Sequence, residues 1–204
     1  LYRFENIITF VRAFVKRFAI CCRLFYNGCM KCNQCPAACG VDRTLQKGFC
    51  GVQGVKIAKY YLHPYEEPPV SFKNGSGCVF FSGCSLKCVF CQNYEVSRNL
   101  RGKELSVRQL ADVFKALEDM GAENINLVNP THYLSHIMGA IDIYKPNIPI
   151  VYNTHGYETE EALKLADGFT DIWLTDLKFT DGMLSKRYTA REDYPDFAIP
   201  AIKY

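Results

Sequence analysis

The hydrophobic positions of this chain change their spacing as they run from one end to the other. Phe4, Ile7, Ile8, Val11, Phe14, Val15, Phe18 and Cys22 recur at helical spacing. Arg3, Glu5, Asn6, Arg12, Lys16 and Arg17 take most positions between them, so residues 1–26 are predicted to form an amphipathic helix that packs on a core or lies on a membrane surface. Residues 27–54 lose that period and become rich in Gly and Cys, as in a loop organised by metal rather than by regular structure. Val55 to Leu62 alternates like a strand, ended by His63-Pro64, and Glu66-Glu67-Pro68-Pro69 marks an irregular linker with a solvated bend.

From Gly77 the pattern settles into alternating strand and helix. Cys78-Val-Phe-Phe81 reads as a short buried strand followed by a cysteine loop. Ser106-Val-Arg-Gln109 reads as a capping box ahead of the face Val107, Leu110, Ala111, Phe114 and Leu117, which Gly121 stops. Ile125–Val128 is a second strand, and Leu134, Ile137, Met138 and Ile141 lie on the next helix. Pro149–Tyr152 is a third strand, Thr159–Ala166 a helix, Asp171–Leu177 a fourth strand, and a last helix is expected beyond Pro195. Four β–α units with ordinary connections predict an α/β fold with a parallel sheet and right-handed crossovers. Ligands then belong at the C-terminal strand ends, in the loops that begin near Ser82, Asn129, Asn153 and Lys178.

Composition adds one large fact. Hydrophobic residues make up 49% and charged residues 22% of the 204, enough for a core, and Lys+Arg 24 against Asp+Glu 21 leaves only +3, so nucleic acid is not an expected partner. No stretch is long and apolar enough to span a membrane. The 11 cysteines, however, all fall between Cys21 and Cys91. Their odd number, in a chain with a core-sized apolar fraction, argues against a disulfide framework and for thiolate–metal chemistry in a reducing cytoplasm.

Cys84-Ser-Leu-Lys-Cys88-Val-Phe-Cys91 is C-x3-C-x2-C placed directly after a strand on the working face. Such crowding does not suit a four-cysteine zinc ribbon, which sets two short pairs far apart. Three thiolates on a four-iron cubane leave one iron without a protein ligand, which makes a reactive cluster rather than a pure electron carrier.

This loop, with Phe90 before the third cysteine, resembles the radical S-adenosylmethionine superfamily. Gly75-Ser-Gly-Cys-Val-Phe-Phe-Ser-Gly-Cys84, Cys91-Gln-Asn-Tyr94, Asn124-Ile-Asn-Leu-Val-Asn-Pro-Thr-His132, Val151-Tyr-Asn-Thr-His-Gly156 and Asp176-Leu-Lys178 are similar to its pyruvate formate-lyase activating enzyme-like group, over about residue 29 to the end. The resemblance implies a partial β/α barrel with its core over 75–204, and an oxidoreductase holding a [4Fe–4S] cluster on Cys84, Cys88 and Cys91. It further implies that the open iron binds S-adenosylmethionine and that one electron cleaves the latter to methionine and a 5′-deoxyadenosyl radical, which abstracts a substrate hydrogen. By position it implies that Phe90 contacts the adenine, that Asp176 and Lys178 lie near the methionine carboxylate, and that Asn153, Thr154 and Gly156 form the turn after the third strand. The family's Gly-Gly-Glu is replaced by Asn129-Pro130-Thr131-His132, so Thr131 is the candidate that remains for the amino group. An electron donor of flavodoxin or ferredoxin type, and a glycyl-radical enzyme as protein substrate, are the implied partners. Such cores usually carry six β–α units, so a C-terminally truncated core, inclined to associate along the edge after its fourth strand, is the further expectation. A non-catalytic iron–sulfur or zinc protein, or an inactive fragment of such an enzyme, is the competing reading.

Cys32, Cys35, Cys39 and Cys50 form a second group, C-x2-C-x3-C-x10-C, within the segment 27–74. Four ligands suit a closed site, structural or electron-transferring, filled by zinc or by a second [4Fe–4S] cluster. Cys29 could replace Cys32, whereas Cys21, Cys22 and Cys78 read as small buried hydrophobes. His132 and His155 sit at strand ends and are candidates for substrate contact or acid/base work, unlike His63 and His136. Glu158, Glu160 and Glu161 are expected to favour the start of the third helix by charge–dipole attraction.

Overall fold

The computed structural model describes residues 31–204. The helix expected over 1–26, with Cys21 and Cys22, and also Cys29, lies outside the described residues. The strands are β1 (Lys56–His63), β2 (Ser76–Phe81), β3 (Lys103–Glu104), β4 (Ile125–Val128), β5 (Ile150–Thr154) and β6 (Ile172–Thr175). They form one sheet in the order β3-β1-β2-β4-β5-β6. β2, β4, β5 and β6 run parallel, as the β–α alternation predicts. The all-parallel expectation is corrected at the other side, where β1 runs antiparallel to both β2 and β3. The reason lies in the connection. Residues 64–75 contain only the short 3-10 turn Pro68–Val70, and parallel neighbours would need a longer crossover.

The helices are α1 (Tyr94–Ser97), α2 (Val107–Asp119), α3 (Leu134–Ile143), α4 (Glu160–Asp167), α5 (Gly182–Thr189) and α6 (Tyr194–Lys203). Ser106 and Gln109 close the capping box at the start of α2, each side chain taking the other's backbone N–H. Leu110, Phe114 and Leu117 of α2, with Ile137 and Ala140 of α3, pack on Val79, Phe81, Ile125 and Leu127 from alternate positions of β2 and β4. The short β3 and the helix α5 were not legible in the hydrophobic pattern. The last helix begins at Tyr194, one residue ahead of Pro195, whose missing N–H does no harm in a first turn.

On the opposite face of β2, Cys78 is fully buried, and its thiol donates to Glu66 Oε2 at 3.5 Å. Asn126 of β4 donates its amide to the same oxygen at 3.2 Å, so Glu66 is not the solvated bend expected from its setting. Burial pushes its carboxyl pKa up.

Candidate functional site

The loop after β2 turns sharply into the three cysteines. Gly83 has φ +82, and a Cβ there would stand 2.5 Å from the carbonyl oxygen of Cys50. Lys87 takes the left-handed region at φ 59, and Arg98 Nη1 donates to its carbonyl at 2.6 Å, which pins the turn between Cys84 and Cys88. Cys84 and Cys88 are buried with Leu86 against Tyr157, Tyr194 and Ala198, and Cys91 packs at the margin of that cluster. The loop therefore rests on α6 as well as on the sheet.

Each of the three sulfurs has a group beside it that favours the anion. Leu86 N–H donates to Cys84 Sγ at 3.4 Å, and Ser97 Oγ donates to Cys91 Sγ at 3.2 Å. The Lys178 ammonium lowers the Cys88 pKa, although burial is the larger effect and raises it overall. Burial likewise holds Cys84 up, to about 12, with Cys88 and Cys91 adding to the rise. As thiols without metal, Cys84 and Cys88 keep their protons. A thiophilic metal centre would take them as thiolates, with hydrogen bonds to sulfur already in place. Among the described residues, no three His, Cys, Asp or Glu side chains are grouped closely enough to hold a metal ion.

The four loops expected at the working face do meet. Asn129, at φ 59, donates its amide to Gly83 O at 2.9 Å and its backbone N–H to Asn153 O at 2.8 Å. His155 Nδ1 accepts the Tyr157 N–H at 3.1 Å, which leaves the proton on Nε2, 3.2 Å from Ser85 Oγ. His132 Nε2 lies 2.9 Å from the Ser82 carbonyl and must donate there. Burial lowers both imidazoles to about 3, so both are neutral braces of the cysteine loop rather than groups poised to titrate near neutrality. Lys178 pairs with Asp176 at 2.7 Å, with Asp176 the more exposed partner. The Tyr194 hydroxyl donates to His155 O at 2.8 Å and accepts Lys178 N–H at 2.9 Å, joining the ends of β5 and β6. Phe90 is 53% exposed, edge-on to Phe179 and Tyr188.

Thr131 and Thr154 are both buried, and both hydroxyls donate to Glu158 Oε1, at 2.6 and 2.5 Å. Glu158 is only 2% exposed, its Oε2 has no hydrogen-bond partner, and burial raises its pKa to about 7. This corrects the dipole role expected of it. Glu158 precedes the N-cap Thr159 and turns inward, while Glu160 and Glu161 do occupy the first turn of α4. Its link to Thr131 spans 27 positions and leaves no local signal, whereas Thr154 lies only four positions before it.

The second cysteine group gathers beside these loops. Cys35 and Cys50 are buried and Cys32 and Cys39 partly so. Cys39 Sγ and Cys50 Sγ lie 3.4 and 3.3 Å from where a Cβ on Gly48 would stand, so the bare backbone makes room for both sulfurs. Burial raises the pKa of Cys35, to about 12, and of Cys50; neighbouring thiols of the same group add to both. Arg43 ties this segment to the core, donating to Gln53 O at 2.8 Å and His132 O at 2.9 Å.

Comparison with known proteins identifies the family. The family model described as the radical SAM superfamily matches residues 78–204, which take in the three-cysteine loop and every parallel strand end. An uncharacterized protein of Methanocaldococcus jannaschii, MJ0674, is 32% identical over 174 residues, covering 81% of this chain. The chain spans about half the length of that curated relative, 50%. With the family match covering most of the chain and its cysteine loop seated at the mouth of a parallel β/α sheet, the chain belongs to the radical SAM superfamily.

Proposed function

We propose that this chain is an oxidoreductase that cleaves S-adenosylmethionine reductively at a [4Fe–4S] cluster held by Cys84, Cys88 and Cys91. The observation that carries the reading is the set of groups beside the sulfurs: an N–H on Cys84, a hydroxyl on Cys91 and an ammonium near Cys88, all at the C-terminal ends of parallel strands. When bound, the cluster would supply the electron that breaks the sulfonium C–S bond and so generates a 5′-deoxyadenosyl radical for hydrogen abstraction. The chain's own part is to hold, orient and exclude water. Gly83 and Lys87 set the turn, His132 and His155 brace it as neutral donors, and Lys178 offers the charge to meet a carboxylate. Asn153, near the end of β5, and the exposed Phe90 are our candidates for contacts to the adenosyl part, with Thr131 and Thr154 acting through Glu158.

The radical's target is the finer part of the proposal. The pyruvate formate-lyase activating enzyme-like motifs favour a glycyl-radical enzyme as protein substrate, with a flavodoxin or ferredoxin as electron donor. Cys32, Cys35, Cys39 and Cys50 form a second candidate metal site. Every described cysteine is free, which suits a reducing cytoplasm, and no helix among the described residues is long and apolar enough to cross a membrane.

The test is product formation. The anaerobically reconstituted and reduced chain should yield methionine and 5′-deoxyadenosine from S-adenosylmethionine. Cys84→Ala, Cys88→Ala and Cys91→Ala should each abolish both products. Turnover retained in any one of them would overturn the ligand assignment, and an intact cluster without products would favour a non-catalytic iron–sulfur protein.

A further inference from the structure

α2 and α3 cover one face of the sheet at β2 and β4. Val79, Phe81, Ile125 and Leu127 point to them, so the residues between these positions point the other way. On that second face Cys78 stands beside Asn126 of β4 and opposite Tyr61 of β1, and Phe80 stands opposite Lys59. The Tyr61 and Phe80 rings stack at 5.8 Å, with the Lys59 ammonium 4.8 and 4.6 Å from their centroids, so this face already draws a cation. Glu66, from the connection between β1 and β2, reaches the same face. Its Oε2 accepts from both Cys78 Sγ and the Asn126 amide, at 3.5 and 3.2 Å, so neither bond ties up Oε1. Asn126 is 0% exposed, and its Oδ1 has no hydrogen-bond partner. Among the described residues no Lys, Arg or His forms an ion pair with Glu66. Burial, and then the Glu67 carboxyl beside it, raise the Glu66 pKa.

We propose that Glu66 and Asn126 determine which substrate this chain accepts, and that they bind a positively charged nitrogen of it, an ammonium or a guanidinium. The inference rests on the proposal that Cys84, Cys88 and Cys91 hold the reactive cluster. Its chemistry follows from what this face lacks. It offers a carboxyl without a counter-charge and an amide oxygen without a donor. A cationic nitrogen with two or more N–H bonds satisfies both at once. A hydroxyl brings one donor and no charge, and an anion is repelled by Glu66 and Glu67. Glu66 is only partly buried, so a ligand meets it first, and Asn126 supplies the second acceptor. The position fits as well. Asn126 stands three residues ahead of Asn129, about 10 Å along the strand direction. Asn129 in turn donates to Gly83 O, beside the first cysteine of the loop. A nitrogen held at Glu66 therefore anchors the substrate at the end away from the C–H to be broken. Both residues orient the substrate and take no part in making or breaking bonds.

The experiment is titration calorimetry on the anaerobically reconstituted whole chain, with and without S-adenosylmethionine. The probes are N-acetyl-lysinamide, which presents an ammonium as a protein side chain does, putrescine as a free amine, and N-acetyl-norleucinamide as the uncharged control. At least one of the two cationic probes should bind, and the control should not. Glu66→Gln, which keeps the size of the side chain, should weaken that binding at least about tenfold, as expected for a lost charge-assisted hydrogen bond. Tighter binding of N-acetyl-lysinamide identifies the source as a side chain of a protein substrate, and tighter binding of putrescine identifies a free amine. Equal affinity for N-acetyl-lysinamide and its norleucine control, no binding of either cation, or undiminished binding in Glu66→Gln would overturn the inference. The wild-type comparison of probes decides this if the variant does not fold. Glu66-dependent binding in a chain that forms no 5′-deoxyadenosine would remove the reactive-cluster reading and leave the cation site standing.

Discussion

Replacing Glu158 by Gln tests whether the carboxylate between Thr131 and Thr154 is held at a cost that depends on pH. Its pKa rises from 4.5 to about 7, chiefly through burial. A carboxyl whose folded pKa is raised binds its proton more tightly in the native state. Its stabilising contribution is therefore complete below the unfolded pKa of 4.5 and is lost as pH rises through about 7. Between pH 5 and pH 8 that shift amounts to a loss on the order of 2–3 kcal/mol. Gln keeps an oxygen to accept from both threonines and puts an amide N–H where Oε2 has no partner, but the protonated wild-type carboxyl leaves its own O–H unpartnered at the same place, so the two side chains are comparable where the carboxyl is neutral. The variant should thus match wild type closely at pH 5 and gain on the order of 2–3 kcal/mol relative to it by pH 8. His132 and His155, lowered to about 3, destabilise the protein as pH falls below their unfolded values, but they do so in both proteins and drop out of the difference. Urea unfolding of the two proteins, prepared identically without oxygen, measures it. A stability difference that stays constant across this range would refute the buried, proton-linked carboxylate.

Two further outcomes concern the scaffold. Ser106→Ala removes the acceptor for Gln109 N–H at 3.2 Å and should cost about 1 kcal/mol in chemical denaturation, with Ser106→Asn restoring most of it. Phe114→Ala empties a position that is 1% exposed in the layer between α2 and the sheet, and should cost about 3–5 kcal/mol; a cost below 1 kcal/mol would mean that this layer is loosely packed.

How far the sequence could be read follows from how local each signal is. The strands at 125–128 and 150–154 and the helix after Ser106 rest on period and caps within one window, and they stand where the pattern puts them, give or take two residues at the ends. β3 is only Lys103–Glu104, exposed on both positions, so no apolar alternation marks it; it exists because β1 offers it an edge. α5 has a weak apolar stripe and is fixed by Asp181, whose carboxylate accepts Leu184 N–H at 2.8 Å. The direction of β1 was equally hidden, since an eight-residue strand reads the same in either sense and only its connection decides.

The site divides along the same line. Cys84, Cys88 and Cys91 announce themselves because a short spacer must bring three soft ligands to one place. The residues that adjust them do not, because their partners are remote in sequence: Ser85 with His155 across 70 positions, Thr131 with Glu158 across 27, Arg43 with His132 across 89. A lone Glu beside a helix start has a sufficient local explanation, and only the sheet, by bringing the ends of β4 and β5 together, supplies the better one. The same holds for Gly83. In the sequence it is one more turn glycine before a cysteine motif. In the fold it is the point where the backbone of one cysteine group must pass within hydrogen-bonding reach of the other, and any side chain there would force the two apart.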